Sequence, residues 1–459
     1  MTKNNSIYIF LSPLLLAISI FVVWFLPMNN WWCAVLMCAN FSWILFITWK
    51  SEGLTPFFLF LATFIFLFIG GRFWAVLMGH EPYELTRGNF FKMEQIEPRV
   101  WLTSLTYILL FLYTATLAYI ALPKKNRDKS ILSGNLFTNQ HLDMGLTIVW
   151  CLIAPFILYD VLHKFYVAMV QGAGYLSLYA DQMKDVVPGS GFIASMLYVF
   201  FGIAMVFGSE RTRKLFLLLV FFKALVFILI GQRGKFGCVL LFFIWYYYRN
   251  RKINIVRLGT FAIVSIVIIA ILVAMSSRDA NSTLAKPHAM LDEFLFSQGV
   301  SISTFTFSQT IDNYPLVPYL VSFIPGYASF YSFFNALPAY EAGFANYLAY
   351  SLNYELYESG HGLGWTLLSD LYLYSGRTYI GFIVLSILFG LVCAKVEDAS
   401  KTSALAATII YTIFLNFTFL PRAGLYTIIP LIVWTVIMYY IFVPAVATRI
   451  RVSQVNWNY

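Results

Sequence analysis

Apolar runs that predict membrane spans recur twelve times along this chain, and no other feature constrains its fold as strongly. A hydrocarbon core of about 30 Å needs about 20 helical residues per crossing. The chain is 60% hydrophobic and only 11% charged over 459 residues, a balance that soluble domains do not have. The sequence therefore predicts an all-α polytopic membrane protein, with residues 1–459 forming a single membrane domain. The predicted spans are residues 7–26, 31–48, 55–78, 100–122, 145–167, 191–208, 215–232, 236–248, 255–276, 378–395, 402–420 and 424–444.

Basic residues in the short connectors predict the orientation. Threading twelve spans places four basic clusters on one side, namely KKNRDK (124–129), ERTRK (210–214), RNRK (249–252) and TRIR (448–451). Lys and Arg are enriched in cytoplasmic loops, so this side is predicted to be cytoplasmic, with both termini inside. The net charge of +9 is explained by this topology and does not require a nucleic-acid partner.

A stretch of about a hundred residues, 277–377, separates the ninth and tenth predicted spans on the outer side. It is rich in Phe, Tyr, Leu and Pro and is neither low in complexity nor linker-like. Such a composition predicts short helices that lie on the membrane or dip into it. Because a hundred ordered residues between spans is unusual without a function, we expect this loop to form part of an active-site cleft.

The turn GQRGK (231–235) places Arg233 and Lys235 between two apolar runs. The following run, GCVLLFFIWYYY, has 12 residues and covers about 18 Å, so the turn is predicted to lie below the membrane surface. Glycines around the turn allow a ligand to come close to the backbone. Sunken cations suit a diphosphate, and Arg233 is the first candidate to bind one. The alternative is an ordinary interfacial turn whose cations snorkel to the surface.

Further cations lie at the ends of predicted spans. Arg72, Arg278 and Arg422 would each be an interfacial anchor alone, and together with Arg233 they would form a polycationic site if they converge. Lys223 lies near the middle of a span. It either serves a proton or substrate path, or it is paired with a neighbouring group or snorkels.

His361 and Asp370 are the candidate acid–base groups. Both lie in the glycine-rich segment ESGHGLGWTLLSDLYLYSG (358–376), where either could act as a general base, or where His361 could merely cap a loop. No D-x-D, H-E-x-x-H, P-loop, G-x-G-x-x-G or G-x-S-x-G motif occurs. We therefore expect neither a carboxylate metal site nor nucleotide binding.

Several segments between about residues 220 and 430 resemble the O-antigen polymerases, the Wzy-type polysaccharide polymerases of bacterial inner membranes. They are the short span after GQRGKF, TIDNYPLVPYLVSFIP (310–325), GHGLGWTLLSDLYLYSGRTYIGFIVLSILFGLV (360–392) and FLPRAGLY (419–426). The first 200 residues resemble the family in hydropathy alone. One departure is that no basic residue follows the Ile-Pro stretch, where family members often have one.

The resemblance implies a GT-C-like glycosyltransferase of the inner membrane with a cleft facing the periplasm. The growing glycan, carried on undecaprenyl diphosphate, would be transferred onto a new lipid-linked repeat unit, without a metal or other cofactor. Arg233 and Arg278 would be catalytic, and they would bind the donor diphosphate together with Lys235, Arg422 and Arg72. The lipid-linked donor and acceptor and the bilayer are the implied partners, and a polysaccharide chain-length regulator is a further candidate.

Two other functions compete with the polymerase. An O-antigen ligase would use the same donor with a lipid A-core acceptor. A lipid-linked oligosaccharide flippase or transporter would show internal repeats and would lack a hundred-residue outer body. This chain has the body and shows no such repeat, which favours an enzyme over a transporter. A non-catalytic scaffold or an acyltransferase is the remaining possibility.

Overall fold

The structure is a computed structural model of the chain. It describes residues 3–25, 29–87, 95–125, 131, 140–170, 190–231, 233–249, 260 and 287–447. Within these residues the regular structure is helical, apart from one isolated β-bridge between Arg87 and Gln95.

The described residues contain nineteen α-helices, and we number them in chain order. The first nine are α1 Lys3–Phe25, α2 Asn30–Glu52, α3 Pro56–Thr63, α4 Gly71–Leu77, α5 Pro98–Ala121, α6 Gln140–Phe165, α7 Ser190–Phe207, α8 Glu210–Ile230 and α9 Arg233–Tyr248. The others are α10 Pro287–Gln298, α11 Ser301–Ser308, α12 Leu316–Val321, α13 Tyr327–Phe334, α14 Phe344–Leu352, α15 Tyr354–Glu358, α16 Leu367–Tyr374, α17 Tyr379–Ala399, α18 Ala404–Phe419 and α19 Ile429–Ala447.

The helices fall where the apolar runs predict them. Eleven of the twelve predicted spans contain helix, whereas residues 255–276 lie outside the described residues except for Thr260. Among the described helices, seven are long and apolar enough to cross a membrane, and a bent pair makes an eighth. A polytopic helical membrane protein is therefore confirmed, while twelve spans remain a prediction.

The third predicted span is broken in its middle. After α3 the chain makes a π-turn over Phe64–Phe68, in which the amides of Ile69 and Gly70 both donate to the Phe64 carbonyl at 3.0 Å. A Cβ on Gly70 would lie 1.8 Å from the Ile65 carbonyl oxygen, so only glycine fits there. The following helix, α4, therefore leaves at 55° to α3, and it begins one residue before Arg72.

Two aromatic-rich cores hold the long helices together. The first joins α1–α5 to α17, and the second joins α6–α9 to α19. Helix α18 contributes to both, because Phe417 stacks on Phe60 in the first core at 5.0 Å and Phe414 stacks on Trp245 in the second at 4.6 Å. The position of α18 therefore couples the two halves of the bundle.

Small residues bring neighbouring helices into close contact. A Cβ on Gly390 of α17 would lie 2.1 Å from the Ala115 carbonyl oxygen of α5. A Cβ on Gly202 of α7 would lie 2.0 Å from the Thr412 hydroxyl of α18. Lipid supplies little hydrophobic driving force between helices, so such close backbone packing is a main source of helix association in membranes.

The predicted outer loop consists of short helices where it is described. From residue 287 to 377, the longest helix is α10, with 12 residues. This segment has a core of its own, in which Phe344 stacks on Trp365 at 5.1 Å and Tyr314 packs edge-on against both. The described short helices therefore form a packed body.

The opposite end of the bundle carries a buried ion cluster, which we call the basal cluster (Glu52, Tyr119, Lys124 and Glu397). The Lys124 ammonium lies 3.0 Å from a Glu52 carboxylate oxygen, 3.9 Å from Glu397 and 3.8 Å from the Tyr119 ring centroid. The Tyr119 hydroxyl donates to Glu397 at 2.7 Å. Because these groups join the ends of α2, α5 and α17, they fix how the helices end on that side.

Replacing Lys124 by Met should destabilise the fold. It would leave two buried carboxylates without their cation, and removing one partner of a buried ion pair costs about 3–5 kcal/mol. Lys125→Met is the matched control, because the side chain of Lys125 is exposed. Thermal unfolding of the purified proteins in detergent should show a lower midpoint for Lys124→Met alone, and equal midpoints would contradict a stabilising role for the basal cluster.

Candidate functional site

Three interrupted helices meet at one aromatic contact, at the end of the bundle away from the basal cluster. Phe68 ends the π-turn before Arg72, Phe419 ends α18 before Arg422, and their rings lie edge to face at 5.2 Å. Gly234, in the first turn of α9, lies against both rings. A Cβ there would be 2.6 Å from Phe419 and 3.4 Å from Phe68. The three turns that carry Arg72, Arg233 and Arg422 therefore converge, and we call this place the arginine junction.

Arg72 lies at the arginine junction beneath α10 and is 2% exposed. Its Nη1 donates to the Ser303 hydroxyl at 2.7 Å and to the Arg87 carbonyl at 3.2 Å, and the guanidinium lies 4.5 Å from the Phe296 ring centroid. Its Nε is buried without a hydrogen-bond partner among the described residues. Protein atoms thus cover the guanidinium, and the direct ligand contact that the sequence predicts for Arg72 stays a prediction.

Arg422 also contacts α10 at the arginine junction. It ends a short 3₁₀ turn, Leu420–Arg422, and its Nη1 donates to the Gln298 side chain at 3.2 Å. Gln298 is the last residue of α10 and is 4% exposed, whereas Arg422 itself is half-buried. Arg422 therefore keeps an accessible part, and the C-terminal turn of α10 lies between Arg72 and Arg422.

Asp370 of α16 holds the turn that follows Arg422. Its carboxylate is 0% exposed, and it accepts hydrogen bonds from the Trp365 indole at 2.6 Å and from the Leu425 amide at 2.5 Å. Burial is the main influence and raises the pKa of this carboxyl to about 7, although both hydrogen bonds favour the charged form. Both oxygens of Asp370 are therefore engaged, and its role as a candidate base stays a prediction.

The structure describes the backbone of Arg233 and does not describe Arg278. The backbone of Arg233 begins α9, two residues after Gly231, whose left-handed φ of 114° ends α8. Its neighbour Gly234 places this backbone at the arginine junction, and its side chain lies outside the described residues. Arg278 also lies outside the described residues, so its predicted role stays a prediction.

Lys235 faces a separate cavity. This cavity is lined by Lys223 of α8, Tyr198 of α7 and Asn416 of α18, and neither Arg72 nor Arg422 lines it in the described part of the chain. Lys235 therefore lines a cavity to which those two arginines do not contribute, and its predicted grouping with them stays a prediction. Successive residues on a helix point about 100° apart, so Gly234 and Lys235 face different neighbours.

His361 lies in a loop that is attached to the arginine junction through α11. Its ring Nδ1 lies 2.9 Å from the Ser359 hydroxyl. Two residues later, the Leu363 carbonyl accepts from Thr304 at 3.2 Å, and Thr304 follows the Ser303 that binds Arg72. The structure thus places the His361 loop next to the helix that contacts Arg72.

The corner between α10 and α11 is the part of the site that sequence analysis missed. Gly299 in this corner packs on Gly71 and Arg72, where a Cβ would lie 2.5 Å from the Arg72 amide nitrogen. Phe296 stacks on His80 at 3.9 Å, and His80 lies 2.7 Å from Glu84. The small polar run SQGVSIS (297–303) was the available signal, because such residues permit close packing in an otherwise apolar segment.

The junction offers cationic hydrogen-bond donors in a poorly solvated place, at a meeting point of helix ends. No group of three or more His, Cys, Asp or Glu side chains suited to a metal ion occurs among the residues that the structure describes. Fixed cations of this kind stabilise negative charge that develops on a phosphate oxygen.

The fold and the site together define a multi-pass membrane protein in which the turns that carry three arginines meet next to the short helices α10 and α11. A model of the family described as O-antigen polysaccharide polymerase Wzy matches residues 6–451, nearly the whole chain. The chain therefore belongs to the Wzy O-antigen polymerase family of multi-pass inner-membrane proteins, which act in polysaccharide biosynthesis. No curated protein and no solved structure matched the chain.

Gly234→Ala should destabilise the protein, because the new methyl group would overlap Phe419. Overpacking costs about 1–3 kcal/mol, which exceeds the gain of up to about 1 kcal/mol from replacing a helical glycine. Gly237→Ala, one turn later, is the matched control, since nothing lies within 4 Å of its Cβ position. Thermal unfolding should show a lower midpoint for Gly234→Ala only, and an equal or higher midpoint would contradict close packing at the junction.

Asp370 should make stability depend on pH. Its pKa of about 7 in the folded chain lies above the ordinary value of 3.8, so the folded chain holds a proton that the unfolded chain has released. The stability contributed by Asp370 should therefore be highest at low pH and fall as pH rises from about 4 to about 7. Between pH 4.5 and 7.5, the unfolding midpoint of the wild type should fall more than that of Asp370→Asn. Parallel pH profiles would contradict the raised pKa.

Proposed function

We propose that the chain polymerises O-antigen repeat units that are linked to undecaprenyl diphosphate. The growing glycan would be transferred from its lipid diphosphate to the non-reducing-end sugar of a new lipid-linked repeat unit, with release of undecaprenyl diphosphate. The family supports polymerase activity in general. The observation that carries the finer proposal is the convergence of the Arg72, Arg233 and Arg422 turns at Phe68, Gly234 and Phe419.

The chemistry of the transfer explains why arginines are suited to this place. A hydroxyl attacks the anomeric carbon while the bond to the diphosphate oxygen breaks, so negative charge grows on the leaving group. Fixed cations in a poorly solvated site stabilise such charge without having to reorganise during the reaction. Arg233 and Arg422 would contact the donor diphosphate, which is the charge-stabilising role that a metal ion has in other enzymes.

The two predicted site residues that are buried would act by positioning. Arg72 binds Ser303 and packs on Phe296, so it would hold the corner of α10 and α11 against the junction. Asp370 accepts from the Leu425 amide, so it would fix the turn that carries Arg422. His361, on the exposed side of the same body, remains the candidate to orient or deprotonate the acceptor hydroxyl.

The orientation of the chain follows from the same proposal. The basic connectors predict that the basal cluster lies at the cytoplasmic side, with both termini inside. The arginine junction, at the other end of α2, α5 and α17, would then face the periplasm. The outer body of α10–α16 would cover the cleft, where its aromatic side chains offer flat faces to sugar rings.

Removing an arginine at the junction should abolish long polysaccharide chains. Arg233→Ala and Arg422→Ala should each slow transfer by about 10²–10³-fold, which is typical for the loss of one group that stabilises developing charge. Arg99→Ala is the matched control, because Arg99 is exposed at the start of α5. Each variant is expressed in a strain that lacks the gene, and the surface polysaccharide is separated on a gel.

The expected gel pattern distinguishes the competing functions. Loss of the long ladder with one repeat unit still attached indicates a polymerase, whereas loss of all repeats indicates a ligase or a flippase. Membrane levels and unfolding midpoints of the variants must match those of Arg99→Ala. A normal ladder from both Arg233→Ala and Arg422→Ala at normal protein levels would refute the role of the junction.

A further inference from the structure

A second pair of cations lies inside the bundle, apart from the arginine junction. Lys223 of α8 and Lys235 of α9 line one cavity, with Tyr198 of α7 and Asn416 of α18 in its walls. Lys223 is eight residues before Gly231, so it lies about 12 Å along α8 from the turn. A lysine at this depth is expensive to keep charged unless something compensates its charge.

The described residues supply little compensation for these two ammonium groups. Lys223 lies 5.3 Å from the Tyr198 ring centroid, a weak cation–π contact. The nearby carboxylate of Asp160 is paired with Lys164 at 2.8 Å. Among the described residues, no carboxylate lies within 4.0 Å of the ammonium of Lys223 or Lys235. Two cations that share one cavity without a paired carboxylate favour an anionic ligand.

The shape of the cavity indicates where an anion would lie. The cavity is small, about 20 Å³, which holds roughly one water molecule. The side chain of Lys235 is exposed at the mouth, whereas Lys223 is half-buried. A phosphate group would therefore lie at the mouth beside Lys235, and Lys223 would approach it from within. Lysine ammonium groups bind phosphate as point charges, without the fixed geometry that arginine imposes.

Helices α9 and α18 contribute residues both to the cavity and to the arginine junction. On α9, Gly234 faces the junction and Lys235 lines the cavity. On α18, Phe419 lies at the junction and Asn416, three residues earlier, lines the cavity. Two anionic groups bound at the two places would thus both lie beside α9 and α18.

We propose that Lys223 and Lys235 bind the diphosphate of the second lipid-linked substrate, the acceptor, while the arginine junction binds the diphosphate of the donor. This inference rests on the proposed function, because a polymerase must hold two lipid-linked diphosphates at the same time. Separate sites beside the same two helices, α9 and α18, give each headgroup its own cations. They also keep the two lipids close enough for their glycans to react.

Equilibrium binding of undecaprenyl diphosphate to the full chain in phosphatidylcholine nanodiscs tests this proposal. The wild type should bind two lipids per chain at saturation. The double variant Lys223→Gln/Lys235→Gln should bind one, and the double variant with Arg at both positions should still bind two. Lys214→Gln is the matched control, because Lys214 lies on α8 and is 66% exposed beside Glu210, and it should leave the stoichiometry at two.

The outcomes separate this proposal from the proposed function. If the double Gln variant still binds two lipids, the proposed lysine site is overturned and the proposed polymerase function is unaffected. The same holds if the wild type binds one lipid and only Arg422→Ala loses it. No binding by the wild type would overturn both. Inorganic diphosphate is the second probe. Displacement of the lysine-dependent lipid by inorganic diphosphate supports recognition of the headgroup. If inorganic diphosphate binds in a lysine-dependent manner and undecaprenyl diphosphate does not, the site belongs to a free anion and the acceptor role is overturned.

Discussion

The contact of Gly234 with the rings of Phe68 and Phe419 is the constraint on which the site depends. Each of the three residues lies beside an interruption in a helix, and each interruption is followed or preceded by an arginine. In a membrane, a helix break leaves backbone polar groups that must find partners inside the protein. The contact gathers the three breaks at one place, and a side chain at position 234 would push them apart.

The outer body completes the site by holding the cations in position. The corner between α10 and α11 receives Arg72 at Ser303 and Arg422 at Gln298. Asp370 then ties the turn after Arg422 to α16. Buried arginines are costly, and the hydrogen bonds of Arg72 to the Ser303 hydroxyl and of Arg422 to the Gln298 amide oxygen replace part of the solvation that burial removes. That arrangement suits a cation whose charge is needed by a substrate.

The sequence was sufficient for the class of fold and for the end of the bundle at which the arginines lie, because both follow from hydropathy and from glycine-marked helix ends. It was not sufficient to predict the hydrogen-bond partners of the arginines. Arg72 and Ser303 are 231 residues apart and Arg422 and Gln298 are 124 apart, so no local pattern relates them. The separation of Lys235 from Arg72 and Arg422, and the burial of Asp370, depend on which way each helix faces. Helix packing decides that orientation, and local patterns in one sequence do not predict it.

The most direct test of the central claim is a structure of the full chain in a nanodisc with bound undecaprenyl diphosphate. The account predicts that one diphosphate lies at the arginine junction, within hydrogen-bond distance of the Arg422 guanidinium and beside the first turn of α9. A diphosphate bound elsewhere, with the junction filled only by protein side chains, would contradict the claim that the three helix breaks converge to hold the donor.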